Sequence, residues 1–257
     1  VAFVEIVNEH SALFFSGMAA LRRYPSLRRH AASQFCDWLR RRYGNSAGLL
    51  AAWGEGTIDS FRPEGFEGES LEAGTIVPVG NPWFFDPDQL EGSQRFRRQR
   101  LLDTMQFLYE LQNAFYSRAV DAIRQAGYAG EIVASNWQAG RAFSHYLNLH
   151  SDALVGTIDR HNYFGGTQEG WINNATMLAN PGGGLLSAGL QQVEDRPFML
   201  SEWIHNFPNE WGVEGPAVIG AYGMGLQGWD VSFMFQNRDT GGFSDQIGRE
   251  KIGRAHV

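Results

Sequence analysis

Short apolar runs separated by longer stretches of helical periodicity constrain this chain more than any other feature. Residues 1–10 (Val-Ala-Phe-Val-Glu-Ile-Val-Asn-Glu-His), 131–137, 153–159, 196–203 and 228–236 each read as a short strand rich in Val, Ile, Leu or Phe. Strands of that kind are buried on both faces. Between them, 27–43 carries Leu27, Ala31, Phe35, Trp38 and Leu39 at spacings of three and four, and Gly44-Asn45 follows as a stop. Ser46 is placed to cap a short helix over 47–53. Residues 94–126 form one long helical pattern whose stripe is Leu101, Met105, Leu108, Gln112, Phe115, Ala119 and Ile123. Further helices are expected over 140–149 and 214–226. Strand–helix alternation repeated about five times implies a parallel sheet with right-handed crossovers. No Gly-x-Gly-x-x-Gly follows a strand, so a dinucleotide-binding sheet is unsupported. Polar and aromatic residues end every run: Asn8-Glu9, Asn136-Trp137, His161-x-Tyr163, Glu202-Trp203 and Gln236. Chemistry gathered from many strand ends favours a (β/α)8 barrel over a doubly wound sheet.

Bulk properties narrow the function. The 257 residues carry a net charge of −7, which argues against a nucleic-acid partner. No apolar run approaches the ~18 residues of a membrane span. A single cysteine, Cys36, excludes an internal disulfide and a multi-cysteine metal site, and is expected as a small buried residue on a helix face. Eight tryptophans, among them Trp83, Trp137, Trp171, Trp203, Trp211 and Trp229, either fill a core or offer faces to sugar rings. The start of the long helical pattern, Gln94-Arg-Phe-Arg-Arg-Gln-Arg100, reads as a solvated charged face. Residues 54–93, rich in Gly and Pro, read as a long functional or mobile loop. With 164–195, this loop is expected to shape a binding site. The Gly182-Gly-Gly184 stretch lacks the Lys and helix of a phosphate loop and reads as a flexible connection.

The residues that carry chemistry are Glu9 and Glu202. A carboxylate at the C-terminal mouth of a buried strand is costly for packing alone, and that mouth is where α/β folds bind ligands. Two carboxylates facing one another suit glycosidic bond cleavage, one as proton donor and the other as nucleophile or base. Glu5 points to the side of Glu9, as a second pocket carboxylate or, the favoured reading, as the partner of an arginine. Glu202-x-x-His205 has the spacing of half a di-iron motif, which needs two such motifs on helices. His10 is a further metal-type side chain without a partner motif, so no metal or other cofactor is expected. Ser201 lacks a Gly-x-Ser-x-Gly elbow and reads as a strand residue.

Asn8-Glu9 and Glu202, about 190 residues apart at strand ends, resemble the clan A glycoside hydrolases. Phe35-Cys-Asp-Trp-Leu-Arg-Arg-Arg-Tyr43 with Leu50-Ala-Ala-Trp-Gly54 is similar to the helix after strand four in family 42 β-galactosidases; family 5 endo-glycanases are the other close pattern. The resemblance implies a partial TIM barrel, strands four to eight of a parent (β/α)8 barrel, occupying residues 1–251. It implies a retaining glycosidase acting on an oligo- or polysaccharide, with Glu9 as acid/base and Glu202 as nucleophile. By the same resemblance, Asn8 contacts the sugar 2-hydroxyl and Tyr163 holds Glu202. His10, Trp137, His161, Trp203, His205 and Trp229 line the sugar subsites. A non-catalytic carbohydrate-binding barrel is the alternative. Residue 1 already falls inside a strand run, and residues 252–257 (Ile-Gly-Arg-Ala-His-Val) resemble a translated sequencing adapter. The chain is therefore expected to be a fragment cut at both ends, with its first strand presenting an unpaired edge.

Overall fold

A computed structural model describes residues 1–137, 142–168, 171–180, 182–206 and 209–235. Gln236 and the 252–257 tail lie outside them. By their internal contacts the residues form two units. A sheet unit comprises Val1–Glu5, Glu131–Trp137 and Gly156–Val257, and a helical unit comprises Ile6–Gly130 and Gln138–Val155.

The sheet unit is built on parallel strands, as alternation of strands and helices requires. β3 (Ile158–Gln168) pairs in parallel with β5 (Phe198–Asn206), which pairs in parallel with β6 (Val231–Met234). β1 (Phe3–Val7) pairs with β2 (Glu131–Ser135), and a parallel bridge from Val133 to Thr157 links β2 towards β3. The array therefore runs β1–β2–β3–β5–β6. Its first and last strands meet through side chains, with the Phe3 and Phe233 rings 6.3 Å apart. The fold is mixed α/β with parallel pairing. A short β4 (Trp171–Asn173) adds an antiparallel hairpin to β3 that the sequence pattern did not announce.

Two boundaries differ from expectation. The run 153–159 is split between structures: α6 (Ala142–Val155) continues to Val155, Gly156 follows, and β3 begins at Ile158. Ala153-Leu-Val serves a helix as readily as a strand, which periodicity cannot resolve in so short a run. At the far end, helix α7 (Glu214–Ala217) passes directly into a π-helical segment, Val218–Leu226. There the backbone crosses close to the Trp229 ring; a Cβ on Gly223 would lie 2.2 Å from it. Trp229 packs against Phe198 and Tyr222, with ring centroids 5.3 and 5.9 Å away.

In the helical unit, α1 (Phe15–Arg23) occupies a stretch whose weak patterning gave no helical signal, and buries Met18 and Leu21. Then α2 (Pro25–Tyr43), α3 (Ser46–Trp53) and α5 (Arg98–Gln125) follow the periodic stripes closely. Pro25 opens α2, and the side chain of Asn45 rather than Ser46 caps α3 by accepting from the Gly48 amide. One core joins Phe35, Trp38, Leu39, Leu49, Trp53 and Phe107. Cys36 sits inside it, and burial raises its thiol pKa. The α5 stripe is buried at Leu101, Met105 and Gln112, but Tyr116 turns inward in place of the exposed Phe115.

The long segment 54–93 is a packed layer rather than a free loop. Phe61, Phe66, Ile76, Val79, Phe85 and Leu90 are all at most 1% exposed. Their spacing is aperiodic, so they gave no helix or strand signal. The same layer corrects the reading of the arginine run. Arg97 and Arg100 are buried, not solvated: Arg100 pairs with Glu69 at 2.6 Å and Arg97 with Glu64 at 3.2 Å, both carboxylates belonging to that segment. Their guanidiniums also lie over the Phe61 ring, at 3.8 Å for Arg97 and 4.7 Å for Arg100. α5 starts only at Arg98, after a 3-10 turn over Arg95–Arg97.

Candidate active site

The sheet unit gathers its polar side chains on one face of β3. In a strand, residues two apart share a face, so Asp159, His161 and Tyr163 point the same way. Asp159 and His161 are buried, whereas Tyr163 is 40% exposed. Polarity along this face thus opens towards the C-terminal end of the strand.

β5 supplies the partners through an irregularity. Arg160 stands opposite Leu200, yet His161 stands opposite Glu202, so β5 carries one extra residue there. On its other side, Leu200 pairs with Ser232 and Trp203 with Met234, again one residue more on β5. This β-bulge breaks alternation and re-aims side chains. Two consecutive residues, Ser201 and Glu202, consequently reach the same face of β3. Ser201 donates from its Oγ to Asp159 Oδ2 at 2.6 Å and from its amide to Oδ1 at 2.9 Å. The Ser201 Oγ also lies 2.9 Å from His161 Nε2. Across the imidazole, Nδ1 faces Glu202 Oε2 at 3.3 Å, and the Tyr163 hydroxyl donates to the same oxygen at 2.6 Å. Glu202 is therefore in the interior of β5, which continues four residues beyond it, rather than at its last position. Its side chain is 20% exposed, enough for a ligand to reach it.

Asp159 is 1% exposed, and burial raises its carboxyl pKa, with the Ser201 hydrogen bonds working against that rise. Just past the end of β2, the backbone carbonyl of Asn136 accepts from the His161 amide at 3.2 Å, and the Asn136 side-chain amide donates to Glu5. The carboxylate of Glu5 thus meets the Asn136 amide. Asp159, Ser201 and Asn136 were not marked as site residues by sequence reasoning.

The other expected residues are distributed differently. Trp203 is 5% exposed, with its indole N–H on Ser232 Oγ at 2.7 Å, and Trp229 is 3% exposed. Both rings are covered by the protein's own side chains, so they serve the core and offer no face to a sugar. Trp137 is half-buried beside Ser135, whose Oγ accepts its backbone amide. His205 is 4% exposed and edge-on to Phe164, whose centroid is 5.1 Å away. Glu202 and His205 therefore occupy opposite faces of β5 and do not converge on one ion. Asn8, Glu9 and His10 follow β1. Glu9 is half-buried, while Asn8 and His10 are exposed. Glu9 has φ of 45°, in the left-handed region that a non-glycine residue occupies at a cost of order 1–3 kcal/mol. Such strain collects at functional positions.

His205 makes a pH prediction. Among the described residues neither of its ring nitrogens has a hydrogen-bond partner, and burial lowers its pKa, partly offset by the nearby Glu214 carboxylate. The unfolded chain then takes up this proton first, near pH ~6.5. Stability from this group is complete above that pH and declines as pH falls through it towards the folded-state value. Thermal unfolding between pH 8 and 5 should show this loss, and His205→Leu should flatten it. An unchanged slope in the variant would rule out His205 as its source.

No protein-family model matches the chain, and no curated protein matches it. A solved structure described as "Structure of PfGH50B" aligns with 79% of this chain and 25% of its own, at 12% identity and a TM-score of 0.44. The chain thus spans a quarter of the length of that protein.

Proposed function

We propose that the chain is the catalytic part of a retaining glycoside hydrolase that cleaves β-linked sugars. The observation that carries this reading is the setting of Glu202. A single carboxylate, re-aimed by a bulge in a parallel strand, has one oxygen held between Tyr163 and His161. With Oε2 so fixed, Oε1 is the oxygen that attacks the anomeric carbon, and the held oxygen cannot rotate into its place. In the double displacement, Oε1 forms the bond to the anomeric carbon as the bond to the leaving oxygen breaks, and the acid/base residue protonates that oxygen. Water, deprotonated by the same residue, then releases the sugar from Glu202 with overall retention. Glu9 is assigned the acid/base role and Asn8 the contact to the 2-hydroxyl, on the strength of the Asn-Glu pair after β1 and the strained backbone of Glu9. The parallel order of the strands, and the approach of Phe3 to Phe233, support reading the sheet unit as strands four to eight of a (β/α)8 barrel.

Trapping tests the assignment directly. An activated 2-deoxy-2-fluoro β-glycoside slows release of the covalent intermediate, so the enzyme should accumulate one sugar equivalent. Peptide mass spectrometry should place that sugar on Glu202. Turnover with inverted product, or a label on another residue, would overturn the proposal.

A further inference from the structure

Resting on that reading, we infer that Asp159 is a positioning residue for Glu202: through Ser201 it shares one proton with His161, so that His161 presents Nδ1–H to the nucleophile.

The argument is an inventory of hydrogens along Asp159–Ser201–His161–Glu202. Ser201 has one hydroxyl hydrogen and stands 2.6 Å from Asp159 Oδ2 and 2.9 Å from His161 Nε2. When Asp159 is ionised, that hydrogen goes to Asp159 and Nε2–H must donate to Ser201 Oγ. A neutral His161 would then turn a bare Nδ1 lone pair on the Glu202 carboxylate 3.3 Å away, which repels it. An imidazolium avoids this. When Asp159 is protonated, the chain reverses: its O–H donates to Ser201, Ser201 donates to Nε2, and a neutral His161 carries its hydrogen on Nδ1. Either way one proton beyond the ionised set keeps Nδ1–H directed at Oε2. Moving it between the two ends transfers one proton along each link and leaves the total charge unchanged. Burial raises the Asp159 pKa, which favours the protonated arrangement, while Arg160 and His161 nearby oppose it.

Geometry restricts the device to these residues. Asp159 and His161 share a face of β3, and the bulge alone lets adjacent residues of β5 bond both ends of one imidazole. Among the described residues of this unit, the titratable and charged groups near His161 include Asp159, Arg160 and Tyr163 on β3, Glu202 on β5, and Glu5 on β1 through Asn136. Of these, Asp159 is the one joined to Nε2 through Ser201.

Loss of the shared proton at high pH should release Glu202, giving an alkaline limb in the kcat profile. Asp159→Asn tests its origin, because its amide N–H permanently reproduces the protonated arrangement while its carbonyl still accepts the Ser201 amide. This variant should keep kcat within a few-fold at neutral pH and shift the alkaline limb upward. Ser201→Ala breaks the link and should lower kcat about tenfold or more, the scale of one hydrogen bond to a charged group, with KM little changed. Nitrogen-15 NMR of the imidazole, assigned by its absence in His161→Gln, reads the proton without any turnover. The wild type and Asp159→Asn should both show hydrogen on Nδ1 at neutral pH. Alkaline limbs that coincide in the wild type and both variants, or a neutral His161 with bare Nδ1 in the wild type, would overturn the relay. Sugar trapped on a residue other than Glu202, with the NMR signature intact, would instead overturn the nucleophile assignment and leave the proton arrangement standing.

Discussion

Glu202→Ala is expected to lower kcat on activated aryl β-glycosides by roughly 10⁶-fold, the scale seen when a hydrolytic enzyme loses its nucleophile. The carboxylate is 20% exposed, with Tyr163 and His161 on one oxygen, so on the proposed mechanism its removal takes away the reacting atom without opening a large cavity. Circular dichroism and the unfolding midpoint should change little. Azide supplied to the variant should restore turnover by attacking the anomeric carbon from the vacated side, giving a β-substrate's inverted, α-configured glycosyl azide. Activity in Glu202→Ala equal to the parent would remove Glu202 from the chemistry. Tyr163→Phe should have a smaller effect, because it removes one of the two contacts to Oε2 but leaves the carboxylate in place.

The largest expected effect on stability comes from the other unit. Glu69→Ala should destabilise the protein by about 3–5 kcal/mol, because it leaves the guanidinium of Arg100 buried without its counter-charge. The Arg100 side chain is 0% exposed and that of Glu69 1% exposed. Both carboxylate oxygens receive guanidinium nitrogens, at 2.7 and 2.6 Å. The same carboxylate accepts the amides of Asp59 and Val77, so its loss also strands two backbone donors. Domains are stable by only about 5–15 kcal/mol, so this single change consumes a large part of the margin. Urea unfolding checks it. Glu69→Leu combined with Arg100→Met should recover much of the loss, since replacing both charges removes the orphan. A change under ~1 kcal/mol in Glu69→Ala would mean that water reaches the pair.

What was legible in the sequence divides along physical lines. Elements with a clear period were visible: α2, α3 and α5 through spacings of three and four, and β1, β2, β5 and β6 through short apolar runs. The core contributed by 54–93 was not visible, because Phe61, Phe66, Ile76 and Phe85 pack from irregular backbone where no period exists. Arg97 and Arg100 were misread for a related reason. A buried arginine is recognisable only with its partner, and Glu64 and Glu69 lie about thirty residues away in that same irregular stretch. In the site, Glu202, His161 and Tyr163 stood out as polar residues around apolar runs. Asp159 and Ser201 did not, although Asp159-x-His161-x-Tyr163 is itself a period-two signal that places three polar groups on one face. The bulge could not be read at all, since only pairing with two neighbouring strands reveals a surplus residue.

That surplus has a consequence for how the protein can vary. Side-chain direction in β5 alternates up to Leu200, and one uncounted residue then reverses its parity for everything downstream. The acid and the two covered side chains after it, Trp203 and His205, are sorted to their faces by an odd number rather than by their own chemistry. A lineage could exchange many individual residues of this strand and keep the site. A change of length by one between Leu200 and Glu202 would instead exchange its inside for its outside, burying the acid among core aromatics and turning the indole of Trp203 to the face that now carries Glu202. Conservation of length across this short stretch is therefore a stricter requirement than conservation of composition, and it identifies the place where insertions and deletions are least tolerated.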